Sequence, residues 1–341
     1  MAAFRRGTAL LCLSLVLAAC AQPAQQTAET RPLLWPAEPD VARVAFVKEF
    51  SRPEDLGISR GFLQRLAGLI FGRDESRLVR PMAVVATTDV LYVADPGAKG
   101  VHRFDLKLGD YDLLRAADGL ALPSPVGLAR GAAGDVYVSD SALKQVFVIG
   151  PRTKAAVPLP LRADLEQPTG IAFDAASGSL FVVDTRAHRV KVFDRDGNLV
   201  SSFGQRGTAD GEFNFPTLIW RTPDGRLYVT DSLNFRVQVF DAHGRYLAKF
   251  GQHGDGMGDL ARQKGVATDR FGHVYVVDAL FNAVQIFDDA GRLLLSIGAL
   301  GRERGEFWLP TGIFIGEDDR IYVADSYNQR VQVLRYIGGP T

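Results

Sequence analysis

Six aspartates recur in one setting, the end of a short apolar run: Leu91-Tyr-Val-Ala-Asp95, Val136-Tyr-Val-Ser-Asp140, Leu180-Phe-Val-Val-Asp184, Leu227-Tyr-Val-Thr-Asp231, Val274-Tyr-Val-Val-Asp278 and Ile321-Tyr-Val-Ala-Asp325. A ring of acids is one way to hold a cation. A residue needed once per repeat reads better as structural, its carboxylate accepting backbone N–H groups in the following turn. Arg189, Arg236 and Arg330 recur at one offset and belong to the same turn. Of the five histidines, only His188 and His253 fall where they reach a common mouth. His102 lies in a strand, and His243 and His273 lie in tight turns at the opposite end. A catalytic zinc takes three protein ligands, so three-histidine zinc chemistry lacks one. Neither a Gly-x-Ser-x-Gly elbow nor a Walker loop occurs. The two cysteines, Cys12 and Cys20, provide no disulfide framework and no CxxC motif. No catalytic residue, metal site or cofactor is assigned.

Chemistry particular to this chain should break the repeat. Four residues after each aspartate stand Lys99, Lys144, His188, Phe235, Asn282 and Gln329; two residues after it stand Gly97, Ala142, Arg186, Leu233, Leu280 and Tyr327. The long loops on the same face add Arg206, His253, Arg262, Arg304 and Trp308. This mixed cationic and aromatic face makes Lys99, Lys144, Arg186, His188, Phe235, Asn282, Trp308, Tyr327 and Gln329 the candidate ligand-binding residues. The competing reading is a solvated rim that varies because nothing constrains it.

The elements that position these residues follow from the spacing. The aspartates stand 45, 44, 47, 47 and 47 residues apart, and each is followed six residues later by a valine that opens another β-type run. A period of 40–50 residues, made of short strands and Gly/Asp turns, is the pattern of propeller blades. The run before each aspartate is apolar at nearly every position, as a strand covered on both faces requires. No long helical pattern separates the strands, so the chain is all-β: a six-bladed β-propeller. Asp231-Ser-Leu-Asn-Phe-Arg-Val-Gln-Val-Phe, Asp325-Ser-Tyr-Asn-Gln-Arg-Val-Gln-Val-Leu, Gln167-Pro-Thr-Gly-Ile-Ala and Leu309-Pro-Thr-Gly-Ile-Phe resemble the NHL repeat. The resemblance covers about residues 41–337; the turns at Pro96-Gly97-Ala98 and Ala142-Leu143-Lys144 depart from it. The sixth repeat runs out of chain before its outer strand. Val41–Phe50, lying before the first repeat, is expected to supply that strand and close the ring. Between closure strand and first blade, Phe62, Leu63, Leu66, Leu69 and Ile70 have the spacing of a short amphipathic helix. Topology would carry it across the loop face, near Phe235, Phe281, Trp308 and Tyr327.

The N-terminus has a separate logic. Arg5 and Arg6 precede an apolar stretch of about ten residues, too short to cross a bilayer and suited to a secretory leader. Residues 21–40 hold Pro23, Pro32, Pro36 and Pro39 and few apolar groups, the composition of a tether, about 25 Å r.m.s. as a flexible coil. Leu17-Ala-Ala-Cys20 resembles the lipobox of bacterial lipoproteins. That resemblance implies cleavage before Cys20, a diacylglyceryl thioether on Cys20 and, with Ala21 following, sorting to the outer membrane on the periplasmic side. Loss of the leader leaves 37 basic against 39 acidic groups, a balance without drive toward nucleic acid.

These readings describe a monomeric, membrane-tethered lipoprotein that presents a loop face to a protein, peptide or envelope polymer. The NHL resemblance also admits a metal-dependent propeller lyase or lactonase, with a cation at the channel mouth held by Asn234, Asn282 or Asn328.

Overall fold

The computed structural model describes residues 32–59 and 75–338. Blade four shows how the sequence builds each repeat. Its strands Pro216–Arg221, Leu227–Asp231, Arg236–Phe240 and Tyr246–Phe250 run antiparallel from axis to rim. All five residues of Leu227–Asp231 are buried, because neighbouring blades cover both faces of the sheet. The outer strand Tyr246–Phe250 is largely exposed, as the rim of the sheet requires. The same four-strand order recurs in the sheets within residues 83–114, 125–158, 168–203 and 263–297.

Five of the innermost strands start on one line of sequence around the axis: Pro81-Met-Ala, Pro125-Val-Gly, Pro168-Thr-Gly, Gln263-Lys-Gly and Pro310-Thr-Gly. The glycines are there for space. A Cβ on Gly127 would lie 2.1 Å from the Thr169 carbonyl oxygen, and one on Gly170 would lie 2.5 Å from the Leu218 Cα. Backbones of adjacent inner strands approach too closely for a side chain.

The sixth sheet closes the ring. Its strands Ile313–Ile315, Arg320–Asp325 and Arg330–Tyr336 are joined by Val44–Phe50, with Val44 opposite Tyr336 and Phe50 opposite Val331. The N-terminal segment thus supplies the strand that the last repeat lacks. Phe50 is 1% exposed and meets Phe104 of blade one edge-on at 5.5 Å, carrying the closure into the neighbouring core. A fifth strand, Leu34–Trp35, pairs with Val44 and Ala45. Composition places these two residues in a tether, and two residues are too few to show a period. Trp35 nevertheless packs against the core between blades five and six and covers Gly305, where a Cβ would stand 2.5 Å from the indole.

The expected helix near residues 61–71 lies outside the described residues. Its flanks are fixed: the Leu78 N–H donates to the Ser51 carbonyl at 2.8 Å, and Ile58 and Leu78 are buried in the blade-one core.

Candidate functional site

The aspartate end of the propeller carries the turns between second and third strands. All six aspartates are fully buried. Each reaches backward to the segment entering its own blade. The Asp325 carboxylate accepts the Trp308 N–H at 2.8 Å, Asp231 that of Asn214 at 2.6 Å, and Asp95 that of Val79 at 2.7 Å. In blades one, two and five it also accepts N–H groups of the following turn, from Ala98, Leu143 and Phe281. In blades four and six that second task falls to side chains: Asn234 and Arg236 donate to Asp231, and Asn328 and Arg330 to Asp325, at 2.7–2.9 Å. Burial works to raise the Asp95 carboxyl, but His102, 3.5 Å away, and the N–H groups of Val79 and Ala98 outweigh it and hold the group below its ordinary value. The hydroxyls after the aspartates tie blades together: Ser141 donates to the Pro168 carbonyl, Thr185 to Pro216 and Ser232 to Gln263, at 2.5–2.9 Å.

The positions four residues after the aspartates share a constraint that their differing side chains conceal. Lys99, Lys144, His188, Phe235, Asn282 and Gln329 all lie in the left-handed region, with φ between 52° and 57°. A non-glycine residue there costs about 1–2 kcal/mol, so these sites are selected for turn geometry as well as for chemistry. Two of them also support the next blade. His188 Nδ1 accepts the Phe215 N–H at 3.2 Å, and Asn282 Oδ1 accepts the Leu309 N–H at 2.9 Å. Phe215 and Leu309 are themselves left-handed, at φ of 53° and 48°. Phe235 is occupied by His253, whose ring lies 4.3 Å away. Lys99, Lys144 and Arg186 are exposed but stand on blades one, two and three.

The remaining candidates converge on blade six. Trp308 and Tyr327 meet at 5.7 Å between ring centroids, and the Tyr327 N–H donates to the Trp308 carbonyl. Tyr327, Asn328 and Gln329 line a cleft of about 290 Å³ together with Arg77, Arg302 and Arg330. The three arginines differ. Arg330 donates to Asp325, Glu49 and the carbonyls of Arg302, Glu303 and Glu306, which uses its fork fully. Arg302 instead lies over the Trp308 ring at 5.2 Å. Neither Arg302 nor Arg77 has a carboxylate partner among the described residues. Both escape a reading of the turns alone. The signal for Arg302 was present: Gly301-Arg-Glu-Arg-Gly-Glu-Phe307 matches Gly207-Thr-Ala-Asp-Gly-Glu-Phe213, and arginines replace Thr208 and Asp210.

A second concavity, about 450 Å³, occupies the axis and opens at the opposite end, where first and second strands join. None of the turn candidates lines it. Its walls come from the innermost strands, Trp220 and Phe314 among them. At the aspartate end of the channel one innermost strand carries a lysine. Burial, and then neighbouring Arg262, lower the Lys264 amine below the ordinary lysine range.

A closed six-bladed ring with a charged aromatic cleft at one end and an axial cavity at the other is a β-propeller with a concavity at each end. Its repeats are of the NHL type: the NHL repeat matches residues 165–193 and 307–334, in blades three and six. Peptidyl-glycine alpha-amidating monooxygenase of Mus musculus is 29% identical over 106 residues, 27% of this chain and 11% of that protein. The chain thus spans about a tenth of this curated relative. Among solved structures, the virginiamycin B lyase of Staphylococcus aureus superposes with a TM-score of 0.55 at 14% identity, over 76% of this chain and 96% of that one. An auxiliary nutrient binding protein of Bacteroides thetaiotaomicron superposes with a TM-score of 0.60 at 12% identity, over 78% and 71%. Identities this low establish the shared fold alone.

Proposed function

We propose that this protein is an exported bacterial lipoprotein whose propeller binds an acidic saccharide of an envelope polymer in the blade-six cleft. One observation carries the reading: Arg77 and Arg302, without carboxylate partners among the described residues, line one cleft with Tyr327, whose ring meets Trp308 at a tilt. A guanidinium fork matches a carboxylate in two parallel hydrogen bonds. The exposed Tyr327 ring, beside Trp308, offers apolar surface to the C–H face of a sugar ring. With the whole chain near charge balance, attraction for an anion must be local, and these two groups supply it. In a panel of immobilised oligosaccharides, the mature protein is expected to retain oligogalacturonate and pass over neutral maltohexaose. Trp308→Ala should lower retention at least tenfold. Preference for the neutral glycan would overturn the saccharide reading, and retention only of a poly-glutamate peptide would replace it with an acidic peptide.

The enzymatic alternative rests on the asparagines. Asn234 Nδ2 donates to the Gly207 carbonyl and to Asp231, Asn328 to Gly301 and Asp325, and the Asn282 amide is tied at both atoms. Their amide nitrogens are committed to neighbouring carbonyls and carboxylates, and no cluster of three or more His, Cys, Asp or Glu suited to a metal occurs among the described residues. Stoichiometric metal in the purified protein would favour the enzyme.

The tether rests on Leu17-Ala-Ala-Cys20. Cys20→Ser is expected to move the protein from the membrane to the soluble fraction and abolish labelling by a fatty-acid probe. Unchanged fractionation and labelling would contradict the anchor and its outer-membrane location together.

A further inference from the structure

The axial cavity breaks the six-fold symmetry more sharply than any turn does. Aligned on the Pro/Gln that starts each inner strand, one ring of positions reads Val85, Ala129, Ala172, Trp220, Ala267 and Phe314. Four are small and two are aromatic. In blade four, Leu218 also stands where four other blades have glycine. Trp220 does more than fill its own interface. It packs against the apolar clusters between blades four and five, between five and six, and on the side where blade six meets blade one. Its Nε1 donates to Thr268 Oγ1 of blade five at 2.9 Å, and its ring meets Phe314 of blade six edge-on at 5.8 Å. A side chain rooted in blade four that reaches blade six projects into the channel. The small residues of blades two and three leave open the space that the indole does not take.

The chemistry of that space is narrow. Its floor is aromatic and aliphatic, and the indole N–H already has an acceptor. The arginines at its rim face carboxylates: Arg130 with Glu317 at 3.3 Å, Arg221 with Asp174 at 3.0 Å, and Arg270 with Asp319 at 2.7 Å. An anionic ligand would therefore meet charge already neutralised. One donor is left over. Arg221 lines the cavity, and its Nε is buried without a hydrogen-bond partner, so a small turn of the side chain is needed to present that donor to a ligand. A buried donor without a partner is uncommon, because it forfeits its bond to water.

We propose that this cavity is a second binding site, for an uncharged planar aromatic molecule that carries one acceptor oxygen and places it on Arg221 Nε. The volume of about 450 Å³ suits one small ligand and lies within the usual range of such sites. The site is independent of the blade-six cleft and stands or falls without it.

The test uses two probes of one shape, 2-acetylnaphthalene, which has a carbonyl acceptor, and 2-ethylnaphthalene, which has none. In the full mature chain bearing Trp35→Phe and Trp308→Phe, Trp220 is the only indole, and its fluorescence reports the cavity. Saturable quenching by the ketone is expected, with affinity about tenfold above the hydrocarbon, the worth of one buried hydrogen bond. Arg221→Lys keeps a cation opposite Asp174 but has no Nε, so the two probes should converge in affinity. Quenching that does not saturate, equal affinity of the two probes for the unsubstituted site, or a ketone preference that survives Arg221→Lys would each overturn the proposal. The probe comparison at an intact Arg221 decides the matter even if the lysine variant fails to fold. Arg77→Gln with Arg302→Gln should leave both affinities unchanged.

Discussion

Asp325→Ala is expected to lower the unfolding free energy by about 3–5 kcal/mol, a large share of the stability of an ordinary domain. The Asp325 carboxylate is fully buried and accepts from the Trp308 N–H, Asn328 Nδ2, Arg330 Nε and Gln332 Nε2. Alanine fills part of the space and satisfies none of these donors. The largest loss comes from Arg330, 8% exposed, whose charge would stay buried with only Glu49 opposite. Asp325→Asn keeps one acceptor oxygen but not the charge, so an intermediate loss is expected. The equivalent Asp184→Ala strands a lysine instead, Lys191, whose side chain is 15% exposed and turns to water more readily. It should cost less than Asp325→Ala. Urea unfolding followed by circular dichroism ranks the three, and equal small losses below about 1 kcal/mol would refute the carboxylate hub.

Removing residues 1–50 should have the largest effect of any truncation: an insoluble chain, or one without a cooperative melt. The deletion takes away Val44–Phe50, exposes the full edge of Arg330–Tyr336 and opens the contact from Phe50 to Phe104. An exposed apolar edge pairs with other chains. Removing residues 1–32 leaves every described strand intact and should be silent. Removing residues 1–40 takes only Leu34–Trp35 and uncovers Gly305, so a reduced but cooperative melting temperature is expected. A soluble, cooperatively melting product without residues 1–50 would show that the ring does not depend on its closing strand.

The ring, its blade number and its closure were legible because they are written in repetition. Each blade repeats an apolar run, an aspartate and a valine at fixed offsets, and the one missing strand could be found by counting. The sites are harder, because variation within a repeat has two causes that look alike. The positions four residues after the aspartates vary freely in side chain, yet their common left-handed backbone is invisible when only His188 and Asn282 are of the residue types enriched there. Arg302 and Trp220 sit instead where the repeat is otherwise regular, in the Gly-Glu-Phe loop and the inner strand, and aligning the repeats against each other exposes them. Arg77 belongs to no repeat. Only the fold, which returns residue 78 to Ser51 at the aspartate end, brings it to the cleft.

The measurement that tests the central reading most directly is a calorimetric titration of oligogalacturonate into the mature propeller at two salt concentrations, beside Arg77→Gln/Arg302→Gln. Both arginines are exposed, so the double variant should melt as the unsubstituted protein does. Saturable binding that weakens as salt rises, and that falls at least a hundredfold in the double variant, is the predicted result. Binding of equal strength in the two proteins would contradict the assignment of the cleft, and no binding by the unsubstituted propeller would contradict its ligand.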